Sequence, residues 1–234
     1  MMGRFIEALK SVFFPRRCAY CGNVIRTDLL SCSSCEDSLP RIEDDICLHC
    51  GRGKKKCSCK KAEKYFDGIV SPFYFTGNVR NGIHKFKFNR YVDNAEAFGT
   101  EMAKTVTERY NDIEFDFITE VPMTSKKERE RGYNQSKLLS KNISKILSIP
   151  YCEGVLVKIY ETEKQHGLKL NMRKGNLSGV FDVKDSSFVK GKSILLCDDI
   201  STTGETLNEC AKMLWLYGAK EIYCITAALT VREK

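Results

Sequence analysis

The stretch ILLCDDISTTGETL, Ile194 to Leu207, constrains the fold of this chain more tightly than any other. Ile194, Leu195, Leu196 and Cys197 form a short continuous apolar run, the pattern of a parallel strand covered on both faces. Asp198 and Asp199 are expected at its end. Ser201, Thr202, Thr203 and Gly204 are small enough for successive backbone N–H groups to close around a phosphate, with hydroxyls as further donors. A helix is predicted next, because Leu207, Cys210, Ala211 and Leu214 recur at i, i+3, i+4 and i+7 and Gly218 supplies a C-terminal stop. The plainer alternative is an acidic pair beside an ordinary Ser/Thr-rich helix start. Strand, acid pair, small-residue loop and helix in that order favour a phosphate pocket that opens a helix.

This segment resembles the signature of the type I phosphoribosyltransferases, whose ligand is 5-phosphoribosyl-1-pyrophosphate (PRPP) with Mg²⁺. The resemblance implies a ribose held through its 2′- and 3′-hydroxyls by Asp198 and Asp199, the catalytic pair. It implies a 5′-phosphate in the loop of Ser201, Thr202, Thr203, Gly204, Glu205 and Thr206, at the positive end of the helix dipole.

Strands and helices alternate after residue 65. Gly68–Phe75 reads as a strand, followed by a helix containing Val79, Ile83, Phe86 and the basic pair Lys85 and Lys87. A longer helix carries Phe98, Met102 and Val106 after the start signals Asp93 and Asn94. Phe115–Val121 is the next strand, MTSKKERERGYNQS reads as a loop, and a helix with Leu138, Leu139, Ile143 and Ile146 on one face stops before Pro150. The order predicts an open, largely parallel α/β sheet with ligands outside the carboxyl ends of its strands. Pro122, Met123 and Thr124 leave one strand end and are expected to take pyrophosphate, with Lys87, Arg129 and Arg131 as partners for its charge. Between the two loops, Gln165, His166, Arg173 and Asn176 lie in a Gly-rich polar stretch. It reads either as a flap that closes over PRPP or as a surface connection, with His166 either a general base or a solvated side chain.

Eight of the twelve cysteines fall between Cys18 and Cys59 in four close pairs. Cys18/Cys21, Cys32/Cys35, Cys47/Cys50 and Cys57/Cys59 are each spaced to form a knuckle, and two knuckles supply four thiolates to a tetrahedral Zn²⁺. Two zinc ions are expected. The single-residue spacing of Cys57 and Cys59 is the least usual, and His49 is an alternative donor beside them. A disulfide framework is the competing explanation, disfavoured because no secretory signal is evident: Glu7 and Lys10 interrupt the apolar pattern of Met1–Phe14, which reads as a docking helix. A unit of this size builds little core of its own, so the expected role of zinc is stability alone, with redox chemistry or nucleic-acid contact as the alternatives. Domains are expected at 1–64 and 65–234, and no apolar run approaches the ~20 residues of a membrane span.

The formal net charge is +8, of which +5 falls on residues 1–64. Eight thiolates with two Zn²⁺ lower that total by about four. Net charge alone is thus a weak argument for a nucleic-acid partner. The runs Arg52–Lys56 and Lys126–Arg131 read as anion contacts or as solvated faces.

From Phe14 onward, the four cysteine pairs, VPMTSKKERERGYNQS, QHGLKLNMRKGNLSGVF and LLCDDISTTGET together resemble the ComF family of competence proteins. Membership implies a cytoplasmic component of natural transformation that acts on single-stranded DNA, with a zinc-binding segment, a phosphoribosyltransferase domain and other competence proteins as partners. Three functions fit: a DNA-handling protein with a PRPP-binding site, a working phosphoribosyltransferase in nucleotide metabolism or salvage, and a PRPP sensor without DNA contact. Phe86, Phe88 and Tyr91, interleaved with Lys85, Lys87 and Arg90, suit base stacking or, equally, the core and solvent faces of a helix.

Overall fold

The parallel sheet is present, and its centre is a pair of long strands. The computed structural model describes residues 15–42, 45–57, 59, 63–159 and 180–231. Strand β1 is Gly68–Val70, β2 is Phe73–Tyr74, β3 is Phe117–Glu120, β6 is Ser193–Ser201 and β7 is Glu221–Leu229, in the spatial order β1-β7-β6-β3 with β2 also on β7. All these pairs are parallel. The central pair runs in register from Ser193 opposite Glu221 to Ser201 opposite Leu229. Strand β7 was not singled out in the sequence, although EIYCITAAL after Gly218 is the apolar run a doubly covered strand requires.

The apolar run on β6 serves two cores at once. Side chains alternate across a strand. Leu195 and Cys197 join one buried cluster, while Ile194 and Leu196 join the other. The first cluster is covered by helices α2 (Gly77–Phe88), α3 (Asn94–Arg109) and α5 (Gln135–Leu147) through residues such as Ile83, Phe98, Met102, Leu139 and Ile143. The second is covered by α6 (Glu205–Leu216), whose Leu207, Cys210, Ala211 and Leu214 are buried as the spacing predicted. An antiparallel pair, β4 (Leu156–Lys158) and β5 (Phe181–Val183), adds to that face. The proposed flap, with Gln165, His166, Arg173 and Asn176, lies outside the described residues, as does Met1–Phe14.

Three local features of the fold differ from the expected pattern. Gly68–Phe75 is a single register interrupted at Ser71 and Pro72, because Gly68 faces Tyr223 and Phe73 faces Ala228 at the same offset. Proline has no N–H to give the ladder. The stretch after Pro122, expected to be a loop, contains helix α4 (Ser125–Arg131), which buries no residue and so offers no apolar period. The strand carrying the acid pair does not end there but continues to Ser201, with Asp198 opposite Thr226.

The cysteine-rich segment, whose short helix α1 is Ser33–Glu36, packs into the same core as the sheet. Tyr20, between Cys18 and Cys21, meets Phe73 and Phe98 edge-on at 6.0 and 5.5 Å. Backbone bonds from Ile42 to the Pro72 carbonyl (2.9 Å), from Tyr74 to the Pro40 carbonyl (2.8 Å) and from Ile69 to the Leu48 carbonyl (2.9 Å) cover the outer edge of the broken strand, which protects an edge that would otherwise pair with another chain.

Candidate functional site

Three elements converge on the acid pair. From β6, the Asp198 Oδ1 accepts hydrogen bonds from the Ser136 hydroxyl at 2.8 Å and from the Asp199 N–H at 2.8 Å. Ser136 stands in the first turn of α5, where the Asn134 side chain accepts from the N–H groups of Ser136 and Lys137 and fixes the helix start. From the last turn of α2, the Lys87 Nζ pairs with Asp199 Oδ1 at 2.8 Å, and both side chains are largely buried. Burial, and next the Asp199 charge, push the Asp198 carboxyl up to about 7 against the opposing pull of the Ser136 and Asp199 donors. The Asp198 carboxyl is therefore poised to gain or lose its proton near neutral pH.

The small-residue loop follows directly. Ser201 is buried at the strand end, Thr202 and Thr203 are exposed, and Gly204 takes φ +82° as the residue before α6, a left-handed conformation that suits glycine. Glu205 and Thr206 are exposed in the first turn of that helix. At the third place named by the sequence, Val121, Pro122 and Met123 leave β3, and buried Thr124 caps α4 by accepting from the Lys127 N–H. Arg129 is exposed on α4. Arg131 donates to the Gln135 Oε1 at 2.6 Å and lies 5.3 Å over the Phe88 ring.

Two residues gain roles the sequence did not assign. Ser136 gave no signal because its partner is 62 positions away. Arg52, placed in a basic run, is 3% exposed. Its guanidinium donates to the carbonyls of Thr202 and Thr230, each at 2.9 Å. The aromatic–basic stretch divides as a helix does. Phe86 is buried, stacked on Phe98 and tilted against Tyr133, so it cannot reach a base, whereas Phe88 is 66% exposed. Phe75, His84 and Phe88 form a row of rings at 5.9 Å steps.

The eight cysteines form two four-sulfur clusters, Cys18/Cys21/Cys32/Cys35 and Cys47/Cys50/Cys57/Cys59. Zn–S bonds of ~2.3 Å put tetrahedral thiolates about 3.8 Å apart. The Cys21–Cys32, Cys47–Cys59 and Cys50–Cys57 sulfurs are 3.8, 3.7 and 3.6 Å apart. Cys57 and Cys59, the pair with the unusual spacing, lie closer at 3.3 Å. Backbone N–H groups of Cys32 and Asn23 point at the Cys18 and Cys21 sulfurs from 3.4 Å, as knuckle turns do around thiolates. The donor set fits zinc in both clusters.

A parallel sheet with its acid pair and small-residue loop on a central strand is the architecture of a phosphoribosyltransferase-type domain, here bearing two zinc ribbons. Family models match accordingly: a double zinc ribbon domain over residues 9–64 and a phosphoribosyl transferase domain over 134–233. The chain belongs to the ComF family of competence proteins. It is 30% identical to Competence protein F of Haemophilus influenzae, across 90% of this chain and 95% of that one. It is 28% identical to the DNA utilization protein YhgH of Escherichia coli, across 91% and 90% of the two chains. Competence protein ComFC of Bacillus subtilis is also 28% identical, across 82% and 80%. No helix among the described residues is long and apolar enough to cross a membrane.

Proposed function

We propose that this protein handles single-stranded DNA in the cytoplasm during competence and carries a site for PRPP, or a related phosphoribosyl ligand, with Mg²⁺. The observation that carries the reading is the convergence of Asp198, Asp199, Lys87 and Ser136 beside the 201–206 loop. The ribose hydroxyls donate to the two carboxylates, the 5′-phosphate takes the loop N–H groups and hydroxyls, and Pro122–Thr124 with Arg129 and Arg131 meets the pyrophosphate. Lys87 is shared between Asp199 and the pyrophosphate. DNA contact is supported by the exposed ring of Phe88, with His84 and Phe75 behind it and Arg131 over it. Rings and cations in one place suit bases and backbone together. The names of the relatives, competence and DNA utilization, agree with that partner.

The test is a calorimetric titration with PRPP and Mg²⁺ alongside single-stranded DNA binding at several salt concentrations. Saturable PRPP binding is expected, together with DNA affinity that falls as salt rises by a logarithmic slope of about −0.7 per neutralised phosphate. Release of pyrophosphate in the presence of a panel of bases and amines is the measurement that assigns a transferase reaction. DNA binding absent even at low salt, with pyrophosphate release present, replaces DNA handling by metabolic phosphoribosyl transfer.

A further inference from the structure

We infer that Arg52 is a positioning residue through which the second cysteine cluster sets the shape of the phosphate loop; the inference rests on reading residues 201–206 as a phosphoribosyl site. The Arg52 side chain is buried, and it reaches three backbone carbonyls: Nε to Thr230 at 2.9 Å, Nη2 to Thr202 at 2.9 Å and Nη1 to Cys50 at 3.4 Å. One guanidinium thus joins the knuckle, the loop and the segment just after β7. A trans peptide holds its C=O and the following N–H on opposite sides, and no described peptide bond is cis. With the Thr202 oxygen held on Arg52, the Thr203 N–H is aimed the other way. Turning that peptide over would place a carbonyl oxygen where the loop offers donors, and the oxygen would repel a phosphate.

The cluster in turn holds Arg52. Its own carbonyl accepts from the Cys47 N–H at 2.8 Å, two positions beyond Cys50 in the same knuckle. The knuckle is seated on the sheet without slack: a Cβ on Gly51 would lie 2.8 Å from Leu229 Cδ1 and 3.0 Å from the Ile69 carbonyl oxygen. Metal at Cys47, Cys50, Cys57 and Cys59 fixes this turn, and with it the direction from which Arg52 enters. Coupling between two sites is reciprocal, so a ligand on the loop also retains the metal.

The experiment compares full-length, zinc-loaded wild type with Arg52→Lys, which keeps the charge but spans fewer carbonyls, and Arg52→Ala. Amide hydrogen exchange is followed at residues 202–206 without ligand, PRPP with Mg²⁺ is titrated by calorimetry, and zinc release to a chromogenic chelator is timed with and without PRPP. Both variants should keep two zinc ions and unchanged exchange in β6 and β7, while the loop exchanges faster and PRPP affinity falls about tenfold, the weight of a charge-assisted hydrogen bond. PRPP should slow the release of one zinc ion in wild type and not in the variants. Unchanged loop exchange in zinc-loaded Arg52→Lys overturns the inference, whether or not Arg52→Ala folds. Failure of wild type to bind PRPP removes the proposed ligand, and the exchange result still decides the role of Arg52.

Discussion

Asp198 shows how a single carboxyl reports its surroundings. Its folded pKa of about 7 lies above the ordinary 3.8, so between those values the folded protein keeps a proton that the unfolded chain has released. The resulting stability is full below about pH 4 and is lost as pH rises through about 7. Asp198→Asn removes that fall while keeping an acceptor for Ser136. The difference between variant and wild-type melting should grow in the variant's favour from pH 5 to pH 8, reaching on the order of 2 kcal/mol once partial exposure is allowed for. Asn at both Asp198 and Asp199 should leave the protein folded and abolish calorimetrically measured PRPP binding; unchanged affinity would remove the ribose assignment. Phe86 and Phe88 offer a second contrast two residues apart. Phe88→Ala should leave melting nearly unchanged and weaken single-stranded DNA binding by about 1–3 kcal/mol, whereas Phe86→Ala should cost roughly 3–5 kcal/mol of stability as a buried aromatic truncation.

At the scale of elements, the decisive contacts are close approaches that few residues permit. Helix α2 meets the first knuckle at Gly82, where a Cβ would lie 2.5 Å from the Ala19 carbonyl oxygen and 3.2 Å from both Phe98 Cζ and Tyr20 Cα. The buried Asn94 side chain ties the same place by donating to the carbonyls of Ala19 and Gly82 at 2.9 and 3.1 Å. Alanine in a helix ordinarily gains up to ~1 kcal/mol over glycine. Here the obstruction is backbone and ring, so Gly82→Ala should cost about 2 kcal/mol and lower the melting temperature by roughly 4–8 °C. A variant that melts at or above the wild-type temperature would show that the knuckle can shift without cost. Helix α4 and strand β7 mark the two limits of reading elements from pattern. SKKERER has no apolar position to set a period, whereas the β7 run was legible and is distinguished only by its place between β1 and β6.

Over the whole molecule, the zinc ribbons and the sheet share their packing. Tyr20, Cys18 and Cys35 belong to the same buried cluster as Phe73, Phe98 and Leu195. Metal at the first cluster therefore holds core residues in place. Metal analysis should find about two zinc ions per chain, and Cys18→Ser should release one. Because binding free energy at such a site is folding free energy, the loss should lower the melting of the sheet domain as well as loosen the ribbons. Calorimetry of the zinc-loaded protein should show one cooperative transition that moves down on chelation; two separate transitions, with the upper one indifferent to chelator, would mean that the shared core carries little energy.

What is local was legible in the chain: a doubly buried strand with two aspartates, a loop of small residues after it, a helix with one apolar face, and cysteine pairs at ligand spacing. Each is written in neighbouring residues or in a short period, and each is recovered in the fold. Tertiary structure decided which of these meet. Ser136 reaches Asp198, Lys87 reaches Asp199 and Arg52 reaches Thr202 across 62, 112 and 150 positions. No periodicity encodes such distances. They follow from parallel register and from helices packed on one face of the sheet, which bring distant chain ends to the same edge. Burial then determines whether a cation such as Arg52 faces solvent or braces a loop.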